Sequence, residues 1–185
     1  MNIVNKISKK WSFNAIWIIT LLPVVIALAM AYSVIGMPNA TKNNGILAPS
    51  GIHVPETLTN IQQGKWGLLV ISEDCNSLCQ QQVYRMQQLH KSMGKFYERI
   101  QPIWLTTQNE FETENLTSYI DFTEVSVIHN NNILSWFNKQ ALSWQDQSVW
   151  LIDPTGTLVM RFPPELTARQ VMSDLKWLLK ISRIG

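Results

Sequence analysis

The sequence predicts an α/β domain, with a central mixed sheet flanked by helices, behind one N-terminal transmembrane helix. Three observations lead to this prediction. An apolar run without charge covers residues 13–36, a strand–helix–strand pattern lies between residues 65 and 107, and a hairpin with an amphipathic helix follows residue 148. The 185 residues leave room for one such domain and an anchor, and hardly for two domains.

The N-terminal run, Phe13 to Gly36, is long enough to cross a hydrocarbon core about 30 Å thick. Residues 1–12 contain three lysines, and the positive-inside rule keeps them in the cytoplasm and sends the C-terminal part outward. A cleaved secretory signal is the alternative, because Ala27-Leu-Ala29 could serve as a cleavage site. The uninterrupted length favours an anchor, and both alternatives place the domain outside the cytoplasm.

The charge balance excludes one class of function. Without the three lysines before the anchor, 12 basic and 13 acidic side chains remain, and the first acidic residue is Glu56. A nearly neutral domain without a Lys/Arg cluster lacks the electrostatic footprint of a nucleic-acid-binding protein. We therefore predict no nucleic-acid partner.

Residues 37–59 are rich in Pro, Gly, Asn and Thr and show no periodicity, which predicts a linker. The domain is then expected over residues 60–185. Its first strand is the apolar run from Lys65 to Ser72, and a helical pattern from about Cys75 to Phe96 follows, with Glu73 and Asp74 as capping candidates.

The second strand is predicted over Ile100–Thr107, parallel to the first. Residues 108–145 give no firm pattern beyond a helix near Leu116–Phe122. The strands Val149–Asp153 and Leu158–Phe162 flank a Pro-Thr-Gly turn, and a last helix covers Thr167–Ile181. The order β-α-β, then an antiparallel hairpin, then a helix is the thioredoxin-like arrangement.

The only two cysteines, Cys75 and Cys79, lie where the first strand joins the helix. A spacing of four places both on one helix face if Cys75 lies in the first turn, so the sulfurs could close a disulfide or bind one Cu(I) ion. The helix N-terminus would stabilise a thiolate, whereas Asp74 and Glu73 oppose it. Cys75 is the expected attacking residue, because it should lie nearer the exposed helix start.

A purely structural disulfide is the alternative for this pair, since an exported domain meets an oxidising compartment. A bridge that closes so short a loop removes little chain entropy and stabilises poorly. Its position at the start of the helix therefore favours a functional pair.

The histidines do not complete an obvious metal site. His90 is three helical turns from Cys79 and shares a stripe with Met86 and Met93, which predicts core residues rather than ligands. His129 is in a loop of unpredicted position that could approach the cysteines, and His53 is in the predicted linker. Two cysteines and scattered histidines also make a four-ligand zinc site improbable.

The stretch Gly64-Lys-Trp-Gly-Leu-Leu-Val-Ile, the Cys75-x-x-x-Cys79 pair and the ending Trp150-Leu-Ile-Asp-Pro-Thr-Gly together resemble small membrane-anchored proteins related to the Sco/SenC group. Proteins of this kind occur with cytochrome c oxidase genes in bacteria. The resemblance implies a bacterial inner-membrane protein with a periplasmic domain. Its implied partner is a respiratory oxidase subunit or another copper or thiol assembly factor.

Two departures from the Sco pattern limit what the resemblance implies. Sco proteins carry a histidine a few residues before the strand matched by Val149–Asp153, and here Ser143–Ser148 contains none. The prolines usual around the Sco cysteine pair are missing too. In the comparison with thioredoxins, the proline that commonly precedes this strand is also absent, so a broad-range disulfide oxidoreductase is not expected. The resemblance therefore carries over Cys75 and Cys79 as candidate copper ligands, and it supplies no third copper ligand.

Three functions follow from these observations. The first is an accessory factor for cytochrome c oxidase assembly that acts as a thiol-disulfide oxidoreductase through Cys75 and Cys79. The second is a Cu(I) metallochaperone that holds the ion between the same sulfurs. The third is a noncatalytic anchored scaffold with a structural disulfide.

Overall fold

The computed structural model describes residues 4–32, 43–107 and 120–182. They fall into two compact units, residues 1–42 and 43–185. In the first, α1 runs from Val4 to Tyr32 and contains Pro23. Of the predicted anchor, residues 33–36 lie outside the described residues. No helix of the described ranges has both the length and the hydropathy that crossing a membrane requires. The anchor over residues 13–36 stays a prediction.

The described part of the second unit contains six strands and four helices. The strands are β1 (Ile46–Leu47), β2 (Trp66–Ser72), β3 (Ile100–Thr106), β4 (Ser126–His129), β5 (Val149–Ile152) and β6 (Leu158–Phe162). The helices are α2 (Glu56–Gln62), α3 (Ser77–Lys91), α4 (Asn131–Lys139) and α5 (Ala168–Ile181), with a 3-10 helix over Gly94–Arg99.

The strands form one mixed sheet in the order β1-β6-β5-β2-β3-β4. β2, β3 and β4 are parallel, whereas β5 is antiparallel to both β2 and β6, and β1 is antiparallel to β6. This confirms the predicted thioredoxin-like α/β fold with its mixed sheet. It also brings the C-terminal ends of β2, β3 and β4 to the same edge.

Hydrophobic cores lie on both faces of the sheet, and β2 is buried along its whole length between them. Leu68 and Val70 pack with α3 and α5, while Leu69 and Ile71 pack with α2 and α4. Alternate side chains of a strand point to opposite faces, which explains why this strand is apolar throughout. The predicted strands and the last helix are confirmed to within about two residues at each end.

Part of the predicted linker belongs to the second unit. Within residues 37–59, the part from Asn43 onward belongs to the second unit, because it contains β1 and most of α2. Asp174 accepts hydrogen bonds from the backbone amides of Asn44 and Gly45 at 2.6 and 2.9 Å, and Leu58 is fully buried. The start of this unit therefore moves from residue 60 to Asn43.

The region between residues 108 and 145 contains elements that the sequence pattern did not predict. β4 adds a parallel edge strand beside β3, and α4 follows it directly. Residues 116–119 of the predicted helix lie outside the described residues, and residues 120–122 are not helical. His129, predicted to lie in a loop, ends β4 instead. The asparagines after it begin α4, because Asn130 Oδ1 accepts from the amides of Asn132 and Ile133.

Candidate active site

The turn between β2 and α3 holds the cysteine pair. The predicted helix from Cys75 to Phe96 is corrected to Ser77–Lys91, because Asn76 is the N-cap and its Oδ1 accepts from the Cys79 amide at 3.0 Å. The capping residue is thus Asn76 rather than Glu73 or Asp74, which are both exposed. Cys75 lies just before the helix, and Cys79 lies in its first turn.

Cys75 and Cys79 form a disulfide, with their Cα atoms 5.0 Å apart. The two sulfurs have different surroundings. Cys79 is fully buried in the core on the α3 side of the sheet, whereas Cys75 is half-buried at its margin. A sulfur nucleophile from another protein could therefore approach Cys75 more easily than Cys79.

The buried sulfur is held by a short hydrogen-bonded chain. Cys79 Sγ lies 3.3 Å from the hydroxyl of Ser72, the last residue of β2, and this oxygen lies 2.9 Å from Trp104 Nε1. Because a disulfide sulfur carries no hydrogen and an indole can only donate, Trp104 donates to Ser72 and Ser72 donates to Cys79. All three residues are buried.

The loop before β5 lies against the same turn. Gln147 donates from Nε2 to Asn76 Oδ1 at 3.3 Å and has a left-handed backbone with φ of 54°. Its neighbour Ser148 is buried, and the Ser148 amide donates to Asp146, which in turn pairs with Arg161. An amide side chain, not a histidine or a proline, thus stands beside the disulfide turn.

The three histidines lie in separate places. His90 is buried at the far end of α3 and stacks on Tyr97 with ring centroids 4.0 Å apart. His53 is exposed and bridges to Thr157. His129 ends β4 at the same sheet edge as Ser72, but two strands away, which is roughly 10 Å between Cα atoms at the usual strand spacing.

The predictions for the histidines and for two methionines are confirmed in part. His90, Met86 and Met93 are core residues, as predicted. His53 lies within the second unit instead of a linker. Among the residues described, no three His, Cys, Asp or Glu side chains are grouped as metal ligands, so His129 is not brought into such a group with Cys75 and Cys79.

Four residues of this site were not predicted from the sequence, namely Ser72, Asn76, Trp104 and Gln147. A signal existed for two of them. Asn is a preferred N-cap residue, and Asn76 stands directly before a helical pattern. Ser72 is a polar residue at the end of an otherwise apolar strand. The contacts of Trp104 and Gln147 depend on chain pairing over 25 residues or more, for which no local signal exists.

Structures of Sco proteins are among the solved structures that share the fold of this chain. Yeast Sco1 matches with a TM-score of 0.55 and 13% identity, covering 67% of this chain and 85% of its own. Copper-bound ScoI of Arabidopsis thaliana matches with a TM-score of 0.52 and 9% identity, covering 66% and 88%. Copper-bound ScoI of Bradyrhizobium japonicum matches with a TM-score of 0.50 and 16% identity, covering 64% and 88%.

At such identities these structures show a common thioredoxin-like fold and no more. No curated protein matches the chain in sequence at a significant level. The model of one protein family, described as the transmembrane-like, thioredoxin-like, C-terminal domain, matches residues 66–182, which is more than half of the chain. The chain therefore belongs to the family of transmembrane-like, thioredoxin-like C-terminal domains.

Proposed function

We propose that this protein is a membrane-anchored periplasmic factor that exchanges thiols and disulfides during assembly of respiratory cytochrome c oxidase. The observation that carries the proposal is the unequal burial of the Cys75–Cys79 disulfide at the start of α3. A sulfur that a partner can reach, bonded to a second sulfur enclosed by the core, is the arrangement that attack and resolution need.

The exchange starts from the reduced pair, which forms when a thiol reductant outside this chain opens the Cys75–Cys79 disulfide and is itself oxidised to a disulfide. It then proceeds in two steps. The Cys75 thiolate attacks a disulfide of the partner, forming a mixed disulfide and releasing one partner thiolate. Cys79 then loses its proton, attacks Cys75 Sγ and releases the second partner thiolate. Two electrons pass from the cysteine pair to the partner, whose thiolates take up two protons.

The location and the partner rest on the sequence. The uncharged run over residues 13–36 and the lysines before it favour an inner-membrane anchor with the domain in the periplasm. The transmembrane-like description of the family supports the same location. The resemblance to the Sco/SenC group supports an oxidase subunit, or another copper or thiol assembly factor, as the partner.

The test traps the mixed disulfide. Full-length Cys79→Ser protein is expressed in the membranes of a bacterium that assembles the oxidase, because this variant forms the bond through Cys75 but cannot resolve it. A covalent adduct with an oxidase subunit is expected, cleaved by reductant and absent from the matched Cys75→Ser/Cys79→Ser variant. Normal oxidase assembly with the double variant would overturn the proposal and leave the scaffold function.

Cu(I) carriage by the same cysteines is the competing function. Reduction would free two thiolates, which are suitable soft ligands, but the side chain beside the turn is the Gln147 amide, a poor ligand for Cu(I). The two residues present would supply a two-sulfur site, and any third ligand would have to come from the partner. We therefore expect weak binding by the isolated protein.

Anaerobic titration of the reduced protein against a competing Cu(I) chelator separates the two functions, with the Cys75→Ser/Cys79→Ser variant as the control. Tight one-to-one Cu(I) binding that the control lacks would favour copper carriage over thiol exchange as the function. Binding equal to that of the control would leave thiol exchange.

A further inference from the structure

The side chain of Ser72 contacts the buried sulfur of the disulfide. Its hydroxyl is buried between Trp104 Nε1 at 2.9 Å and Cys79 Sγ at 3.3 Å. It is an interior polar group at the end of β2, with one neighbour that only donates and another that, in the disulfide, only accepts. The indole fills an acceptor site of the oxygen, and this directs the hydroxyl hydrogen towards the sulfur.

The strength of this hydrogen bond depends on the redox state of the sulfur. A disulfide sulfur is a weak acceptor, whereas a thiolate makes a charge-assisted hydrogen bond. A buried thiolate without a donor would be costly, because its charge is removed from water. The contact is therefore strongest in the species that resolves a mixed disulfide, which is the Cys79 thiolate.

We infer that Ser72 is a positioning residue that stabilises the Cys79 thiolate through its hydroxyl, and that Trp104 fixes the direction of this hydroxyl. The inference deepens the proposed function and rests on it, since it assigns a role in the resolving step. Cys79 gives its proton to solvent or to the departing partner thiolate, and Ser72 keeps its own proton while it donates. Loss of the donor slows resolution and lengthens the life of the mixed disulfide.

The test titrates Cys79 alone, without any partner. In a Cys75→Ser background Cys79 is the only thiol of the chain, so thiolate ultraviolet absorbance as a function of pH reports this sulfur. Full-length protein in mild detergent is compared with and without Ser72→Ala, after subtraction of the Cys75→Ser/Cys79→Ser signal. The midpoint of thiolate formation is expected to rise by about one pH unit, a tenfold change in the proton-binding constant.

Matched variants separate this role from a structural one. Ser72→Thr keeps a hydroxyl and should restore the midpoint, and Trp104→Phe keeps the ring but removes the N–H and should give a smaller rise. Ser148→Ala removes another buried hydroxyl, one without a described contact to Cys79, and should leave the midpoint unchanged. Circular dichroism confirms folding, and Trp104→Phe provides the test if Ser72→Ala does not fold.

An unchanged midpoint in both Ser72→Ala and Trp104→Phe would overturn the inference, as would an equal rise in Ser148→Ala. The titration involves no partner protein, so its result is independent of the adduct-trapping experiment. If no adduct forms but the Cys79 midpoint rises in Ser72→Ala, the proposed function is rejected and the thiolate contact is established. If the adduct forms but the midpoint is unchanged, only the role of Ser72 is rejected.

Discussion

Gln147 Nε2 donates to Asn76 Oδ1 at 3.3 Å, and the same oxygen accepts from the Cys79 amide at 3.0 Å. Asn76 therefore joins the start of α3 to the loop before β5, on the two sides of the disulfide turn. Because Asn76 also lies between the two cysteines in sequence, we expect its side chain to order the turn that carries them.

Replacement of Asn76 by Ala should affect both stability and redox chemistry. Loss of the helix cap is expected to lower the free energy of unfolding by about 1 kcal/mol. Because the turn also becomes less ordered, we expect the equilibrium with glutathione to shift severalfold towards the reduced pair. Urea unfolding and a glutathione titration measure the two effects.

Asn130→Ala is the matched control for this prediction, since Asn130 caps α4 in the same way but does not lie in the cysteine turn. It should lower stability by a similar amount and leave the glutathione equilibrium unchanged. An equal redox effect in both variants would show that Asn76 acts only through general stability.

Reduction of the disulfide should leave the domain folded. The bridge joins residues only four apart, so the chain-entropy relation gives a loss of about 2 kcal/mol. Urea unfolding with and without reductant measures this difference, and Cys75→Ser/Cys79→Ser protein should behave like the reduced chain. Unfolding on reduction would instead show that the bridge is mainly a structural staple.

The strength of the local pattern determined how much of this fold the sequence could predict. β2 and α5 were predictable because an apolar run and an amphipathic period need no knowledge of their partners. β1 has two residues and α2 has seven, too few for a period to emerge. Both make contacts with distant segments, since β1 pairs with β6 and Gln62 of α2 donates to the Asp153 carbonyl oxygen. The cysteine site was found from its residue types, whereas its hydrogen bonds to Trp104 and Gln147 come from tertiary pairing.

Asp174→Ala should loosen the start of the second unit. The buried carboxylate of Asp174 accepts from the amides of Asn44 and Gly45, and from Asn44 Nδ2 at 2.8 Å. Its loss leaves several donors unpaired, so we expect a decrease of about 2–4 kcal/mol in the free energy of unfolding. Limited proteolysis should show earlier cleavage near residues 43–47.

Asp174→Asn keeps one acceptor oxygen and should lie between the wild type and Asp174→Ala in both measurements. If all three proteins unfold at the same urea concentration, residues 43–47 contribute nothing to the domain. The boundary would then return to residue 60.

His90 should make the protein sensitive to acid. Its Nε2 lies 3.0 Å from the Tyr97 carbonyl oxygen, which can only accept, so Nε2 carries the hydrogen and Nδ1 does not. Nδ1 is buried and has no hydrogen-bond partner among the described residues. Burial is the largest influence and lowers the pKa of His90, and the charge of Lys65 also lowers it. The hydrogen bond to Tyr97 and the charges of Glu124 and Glu98 raise this pKa, but they do not outweigh burial.

The sign of the pH dependence follows from this lowered pKa. Above about pH 6.5 His90 is neutral in both the folded and the unfolded chain and adds no pH dependence. As the pH falls below this value the unfolded chain binds the proton first, so the free energy of unfolding decreases until the folded-state pKa is passed. Urea unfolding between pH 7.5 and about pH 4.5 measures the slope. His90→Gln, which can still donate to Tyr97, should reduce this slope over the upper part of the range, and an unchanged slope would assign the acid sensitivity to other groups.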